Sequence, residues 1–117
     1  MGLDFSHGEA HWAYSGFNRF RERLGKIIGI DLRKMQGFTE PPETGISWDT
    51  VNDPIKDLLN HSDCDDELTS AQCAVIAPRL KEMVKDWKDT DYDKQQALEL
   101  AEGMEDAIAG QENLEFR

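Results

Sequence analysis

Apolar side chains recur at steps of three and four residues through most of the chain, which is the spacing of one face of an α-helix. The first such series includes Phe17, Phe20 and Leu24, and Gly29 follows it at a position where helices commonly end in the left-handed conformation. The periodic segments predict helices near residues 15–28, 53–60, 70–87 and 91–109. The predicted fold class is therefore mainly α, a compact bundle of about four helices.

Capping residues and prolines refine these helix boundaries. Asp53 suits the N-cap of the second helix, with Pro54 at its first helical position, where a missing N–H costs nothing. Thr69 and Gln72 have the spacing of a capping box at the start of the third helix. Pro78 lies inside the apolar series of that helix, so we expect a kink or a break into two pieces there.

The two ends of the chain differ from this helical pattern. Residues 2–6 alternate apolar and polar side chains, which is typical of a half-buried strand, so we expect a short N-terminal strand or hairpin. A chain of 117 residues is most often one domain. We predict a single helical domain over residues 1–110 and a flexible C-terminal tail over residues 111–117.

The charge of the chain is strongly acidic and uneven. The formal net charge is −11, yet residues 1–38 hold six basic and four acidic groups, whereas residues 39–117 hold seven basic and twenty acidic groups. A field of this sign repels phosphate backbones and attracts basic surfaces, so it disfavours nucleic acid and favours a basic protein partner. We expect the basic first helix to pair with the acidic remainder across an interface within the fold.

Several classes of protein do not fit the sequence. The longest apolar runs are three or four residues, far below the ~20 needed to cross a bilayer. No basic region followed by an apolar block opens the chain, so we expect a cytoplasmic protein without membrane contact. The sequence lacks a glycine-rich phosphate loop, a G-x-S-x-G elbow and an H-E-x-x-H motif, and we therefore predict that it is not an enzyme.

Residues 61–72 form an acidic segment that aligns with a calcium-binding EF-hand loop. Asp63 and Asp65 fall on the third and fifth loop positions, which supply oxygen ligands. His61 stands at the first position, and Gln72 replaces the bidentate glutamate at the last, so any Ca²⁺ affinity of this degenerate loop should be weak. In a purely structural interpretation, the aspartates supply turn and capping groups ahead of the next helix.

The same segment also permits a zinc site. His61 and Cys64 have ligand-like spacing, Cys73 follows one loop later, and His7 or His11 would complete four ligands. The alternative for Cys73 is a buried thiol, because it also fits the apolar series of the third helix. The candidate metal ligands are therefore His61, Asp63, Cys64, Asp65 and Cys73, with Ca or Zn as the possible ion and no other cofactor expected.

The segment His61–Leu68, followed by a capping residue and Cys73, resembles one found in a group of small uncharacterised bacterial and phage proteins, in which a glycine often replaces Asp66. Gly2–Phe5 and Tyr14–Phe17 are similar to the starts of proteins in the same group. The resemblance implies a bacterial or phage origin. It implies no activity.

Aromatic residues supply the remaining candidates for partner binding. Phe17 and Phe20 share the helix face that must meet the core, so we assign them to packing. Trp12, Tyr14 and Trp48 lie outside the strong apolar series, and aromatic side chains of this kind often anchor protein interfaces. We therefore predict a small acidic interaction or regulatory protein without catalytic activity, or alternatively a metal-binding module built on residues 53–87.

Overall fold

The computed structural model describes residues 2–36, 38, 44–60 and 67–117. It confirms the mainly helical fold class. The described residues form four α-helices and a two-stranded antiparallel sheet: α1 (Tyr14–Ile27), α2 (Lys56–Leu59), β1 (Glu67–Leu68), α3 (Ser70–Val84), α4 (Tyr92–Ala109) and β2 (Leu114–Glu115). None of the helices in these ranges is both long enough and apolar enough to span a membrane.

The helix α1 buries the predicted apolar face. Phe17, Phe20 and Leu24 are fully buried, and Gly29 beyond the helix end has a φ of +82°, as the sequence predicted for a left-handed stop. Helix α2 is shorter than the predicted span 53–60. Asp53 Oδ1 accepts the Ile55 N–H at 3.0 Å, and the chain then closes short turns with bonds between residues three apart, so α-helical bonding is confined to Lys56–Leu59.

Helix α3 begins at the predicted capping box and stays continuous through Pro78. Thr69 Oγ1 accepts the Gln72 N–H at 3.1 Å, while Gln72 Oε1 accepts the Thr69 N–H at 2.8 Å. The predicted break at Pro78 does not occur, since α3 is continuous over Ser70–Val84. Pro78 and Ala74 lie on the exposed side of the helix, where water can donate to the Ala74 carbonyl that loses its N–H partner. Helices α3 and α4 form the principal helix pair of the fold.

Both ends of the chain are fixed in the structure. Leu3 and Trp12 exchange backbone hydrogen bonds of 2.7 and 3.2 Å, which confirms the predicted N-terminal hairpin as a single bridge. The prediction of a flexible tail over residues 111–117 is wrong for its last part. Leu114 in β2 is buried, and so is Phe116, which forms an antiparallel bridge with Phe5. The apolar residues of this segment alternate with polar ones, so they share one face, and that face packs against the core.

An aromatic cluster joins the two ends to α1. The Trp12 and Phe20 rings stack with their centroids 4.7 Å apart, and the Phe5 ring meets the Phe116 ring edge to face at 4.9 Å. Phe17 contacts Phe5, Trp12 and Phe116 at centroid distances of 5.3–6.2 Å. These rings belong to the one hydrophobic cluster formed by the buried apolar residues, so strand, helix and tail share a core.

Candidate functional site

The predicted aromatic anchors occupy different environments. Trp12 is 1% exposed and Trp48 is 6% exposed, so the prediction that they form a partner-binding surface is wrong. Each indole is buried because its N–H finds a partner, Asp93 Oδ1 at 3.1 Å for Trp12 and the Gln36 carbonyl at 2.8 Å for Trp48. Tyr14 is 38% exposed, and its role in partner binding stays a prediction.

Of the five candidate metal ligands, the structure describes Cys73. It also describes the two possible fourth ligands, and these have other partners: His7 lies against Ser6 and Glu112, and His11 Nδ1 lies 2.8 Å from Asp4 Oδ1. His61, Asp63, Cys64 and Asp65 lie outside the described residues. Cys73 is fully buried, and burial raises the pKa of its thiol to about 11, which disfavours the thiolate that a metal binds. Its position favours the alternative interpretation, a small apolar residue of the α3 core face. Within the described ranges, no three His, Cys, Asp or Glu side chains are placed to hold a metal ion.

His7 takes part in a hydrogen-bonded chain that links the two ends of the protein. The His7 ring nitrogens lie 2.7 Å from Ser6 Oγ and 3.1 Å from Glu112 Oε1, and Ser6 Oγ also accepts the Glu115 N–H at 2.9 Å. The backbone of His7 packs against α4 at Gly103, where the Cβ of any other residue would collide with it. These groups fasten the N-terminal segment to β2, a role that the sequence did not indicate because the partners are more than 100 residues apart.

A second polar cluster joins α1 to the turn between α3 and α4. Arg23 forms a fork with Asp91 at 2.9 and 3.1 Å, donates to Asp93 at 2.7 Å, and lies 3.7 Å from the centroid of the Trp87 ring. The hydrogen bond from Arg23 lowers the pKa of Asp91, and that bond raises the pKa of the guanidinium in turn. This cluster confirms that the basic first helix pairs with the acidic remainder of the chain.

Arg21 is a buried cation that sequence analysis missed. It is 3% exposed, and its guanidinium lies 4.8 Å from the Phe17 ring centroid and 5.4 Å from that of Phe38. It donates to the Leu59 carbonyl at 3.5 Å and to Asn18 Oδ1 at 3.3 Å, which ties α1 to the end of α2. The available signal was its place on the α1 wheel between Phe17, four residues before, and Leu24, three residues after, which both belong to the buried apolar face.

Helix α4 carries the most concentrated charge among the described helices. From Glu99 onward it has no basic side chain, and its four carboxylates lie over one 120° sector; we call this set the α4 acidic face: Glu99, Glu102, Glu105 and Asp106. Glu102, Glu105 and Asp106 are exposed, and Glu99 is half-buried. Lys81 of α3 pairs with Glu105. The helical wheel of the sequence contains this face, although the overall charge alone does not reveal it.

No protein-family model matches the chain, and neither curated proteins nor solved structures give a match. The resemblance to small bacterial and phage proteins therefore stays a prediction.

Proposed function

We propose that the protein is a small interaction or regulatory protein that binds a basic surface of a partner protein through the α4 acidic face. One observation carries the proposal: three of these carboxylates, Glu102, Glu105 and Asp106, lie in the C-terminal half of α4, and Asp106 lies in the last turn, where a carboxylate is least favourable. The C-terminal end of a helix bears a partial negative charge, and no basic residue lies in the last turn of α4.

The position of these charges distinguishes partner binding from solubility. A carboxylate in the last turn of a helix costs about 0.3–1 kcal/mol, and Asp106 lies there, whereas Glu105, one position earlier, is paired with Lys81 of α3. Solubility requires negative charge anywhere on the surface and gains nothing from the least favourable end of a helix. Functional sites are among the places where a protein is expected to break a rule of local stability.

A basic partner would be attracted to this face before contact. Aligned carboxylates on one helix sector produce a local negative potential, which steers positively charged surfaces and raises the association rate. Exposed charges of this kind are screened over ~8 Å at physiological ionic strength. Binding should therefore weaken as salt rises to a few hundred millimolar, because the screening length shortens from ~8 Å at 0.15 M toward ~3 Å at 1 M.

The test compares two variants with the same net charge. Glu102→Gln with Asp106→Asn removes two of the four carboxylates of the face, and the control Asp49→Asn with Asp86→Asn removes two exposed carboxylates elsewhere on the surface. Proteins captured by each immobilised variant are identified by mass spectrometry while salt is raised stepwise. We expect the face variant to lose capture of basic proteins and the control to retain it.

Thermal unfolding of the same variants supplies an independent readout. The face variant should melt at a higher temperature than wild type, because it relieves unfavourable charge at the end of α4. Equal capture by the two variants would mean that the acidic residues serve solubility alone. Such a result would overturn the proposal even if the face variant is more stable.

A further inference from the structure

One lysine reaches the carboxylates of the α4 acidic face from the neighbouring helix. Lys81 lies on the exposed side of α3, and its ammonium group forms an ion pair with the Glu105 carboxylate of α4. In the ranges that the structure describes, no other basic side chain pairs with a carboxylate of the face. The face therefore presents three carboxylates without an ion pair and a fourth that already holds a cation.

The fold keeps this lysine beside the face but leaves the ion pair open to exchange. Helices α3 and α4 form the principal helix pair, so packing holds the backbones of Lys81 and Glu105 in place. Their side chains are 45% and 50% exposed, so water and a competing cation can reach both charges. An exposed ion pair is weak, because its charges stay hydrated and salt screens them. A cation from another molecule can therefore replace Lys81 at Glu105.

We infer that Lys81 makes an autoinhibitory contact with the α4 acidic face: it occupies Glu105 in the free protein, and a cation of the partner must displace it. The inference rests on the proposed function, because it concerns the same carboxylates. A cation within the chain is always near Glu105, so it competes with every partner at a fixed effective concentration. Its positive charge also reduces the negative potential that attracts a basic surface. Lys81 therefore lowers the affinity of the face, and loss of its charge raises that affinity.

Binding of a basic peptide to the full chain tests the inference. A fluorescently labelled heptalysine peptide is titrated with protein at low ionic strength, and its anisotropy gives the dissociation constant. Lys81→Met should bind the peptide up to about fivefold more tightly than wild type, the factor that corresponds to an exposed ion pair. The matched control Lys88→Met removes the same charge from an exposed lysine in the turn before α4, at the opposite end of that helix from Glu105. Equal affinities of the two variants would overturn the inference, because net charge alone would then account for any gain.

A double-mutant cycle shows whether Lys81 acts through Glu105. Glu105→Gln alone should change the affinity for the peptide little, because Lys81 already occupies that carboxylate. The same substitution in the Lys81→Met background should remove most of the gain in affinity. Glu102→Gln, at a carboxylate without an ion pair, should weaken binding by the same factor in both backgrounds. Additive effects of Lys81→Met and Glu105→Gln would contradict the inference.

The same assay separates this inference from the proposed function. Suppose that Glu102→Gln with Asp106→Asn loses the peptide, whereas Lys81→Met binds it as wild type does. The face is then the binding site, and the inference about Lys81 alone is wrong. A wild type that does not bind the peptide, or a face variant that binds it equally well, would refute the proposed function and this inference together. Circular dichroism verifies that every variant keeps its helix content.

Discussion

Replacing Phe116 with alanine measures how strongly the segment after α4 is docked. The side chain is 2% exposed, and its ring lies 4.9 Å from Phe5 and 6.2 Å from Phe17, centroid to centroid. Truncating a buried phenylalanine costs about 3–5 kcal/mol, of which each edge-to-face pair contributes about 0.5–1.5 kcal/mol. We expect a loss of about 3 kcal/mol, because a two-residue strand can shift to fill part of the cavity.

Urea unfolding followed by tryptophan fluorescence gives the free energy of unfolding for this variant. The urea midpoint should fall, while the slope of the unfolding free energy against urea concentration stays close to that of wild type. Arg117→Ala is the matched control: the side chain is exposed, and the bond from its backbone N–H to the Asp4 carbonyl at 2.7 Å is retained, so the change should stay within about 0.5 kcal/mol. A loss below about 1 kcal/mol for Phe116→Ala would refute the docked arrangement.

Two further predictions concern ionisable groups. The hydrogen bond from Arg23 lowers the pKa of Asp91 in the folded protein. The stability from this pair is therefore complete above the unfolded pKa of about 3.9 and is lost as the pH falls from there through the lower folded pKa. In the Asp91→Asn variant the urea midpoint should depend less on pH in that acid range, and an unchanged dependence would contradict the pairing. Burial raises the pKa of the Cys73 thiol to about 11, so the reactive thiolate is scarce in the folded protein. In a Cys64→Ser variant, where Cys73 is the one remaining cysteine, a thiol reagent should react only after unfolding. Rapid labelling of the folded variant would show instead that the Cys73 thiol is accessible.

The long helices were predictable because local signals determine them. The apolar spacing of Phe17, Phe20 and Leu24 specified one face of α1, and the Thr69–Gln72 capping box specified the first turn of α3. These signals act over three to seven residues, a range that a single sequence displays in full. The predicted length of helix α2 was too great, because an aspartate that caps a short turn, as Asp53 does, has the same sequence signal as one that caps a helix.

Contacts between distant parts of the chain were not predictable in the same way. Trp12 lies in a segment without helical spacing, and its burial depends on pairing with Leu3 and on Asp93, which is 81 residues away. Docking of Phe116 depends equally on Phe5 at the other end. Among the site residues, the α4 acidic face follows from helical geometry, whereas the contact of His7 with Glu112 depends on the tertiary fold.

The pairing of the two chain ends has a consequence for synthesis in the cell. Ser6 and Glu115 are hydrogen-bonded across 109 positions, so the aromatic cluster cannot close until α4 and the residues after it have left the ribosome. Until then Leu3, Phe5 and Trp12 remain apolar groups without their final neighbours on a nascent chain. Closing so large a loop also carries a high entropic cost, which slows the last folding step relative to helix formation. We expect chaperones to bind the segment that holds these three residues during synthesis, before the residues after α4 emerge.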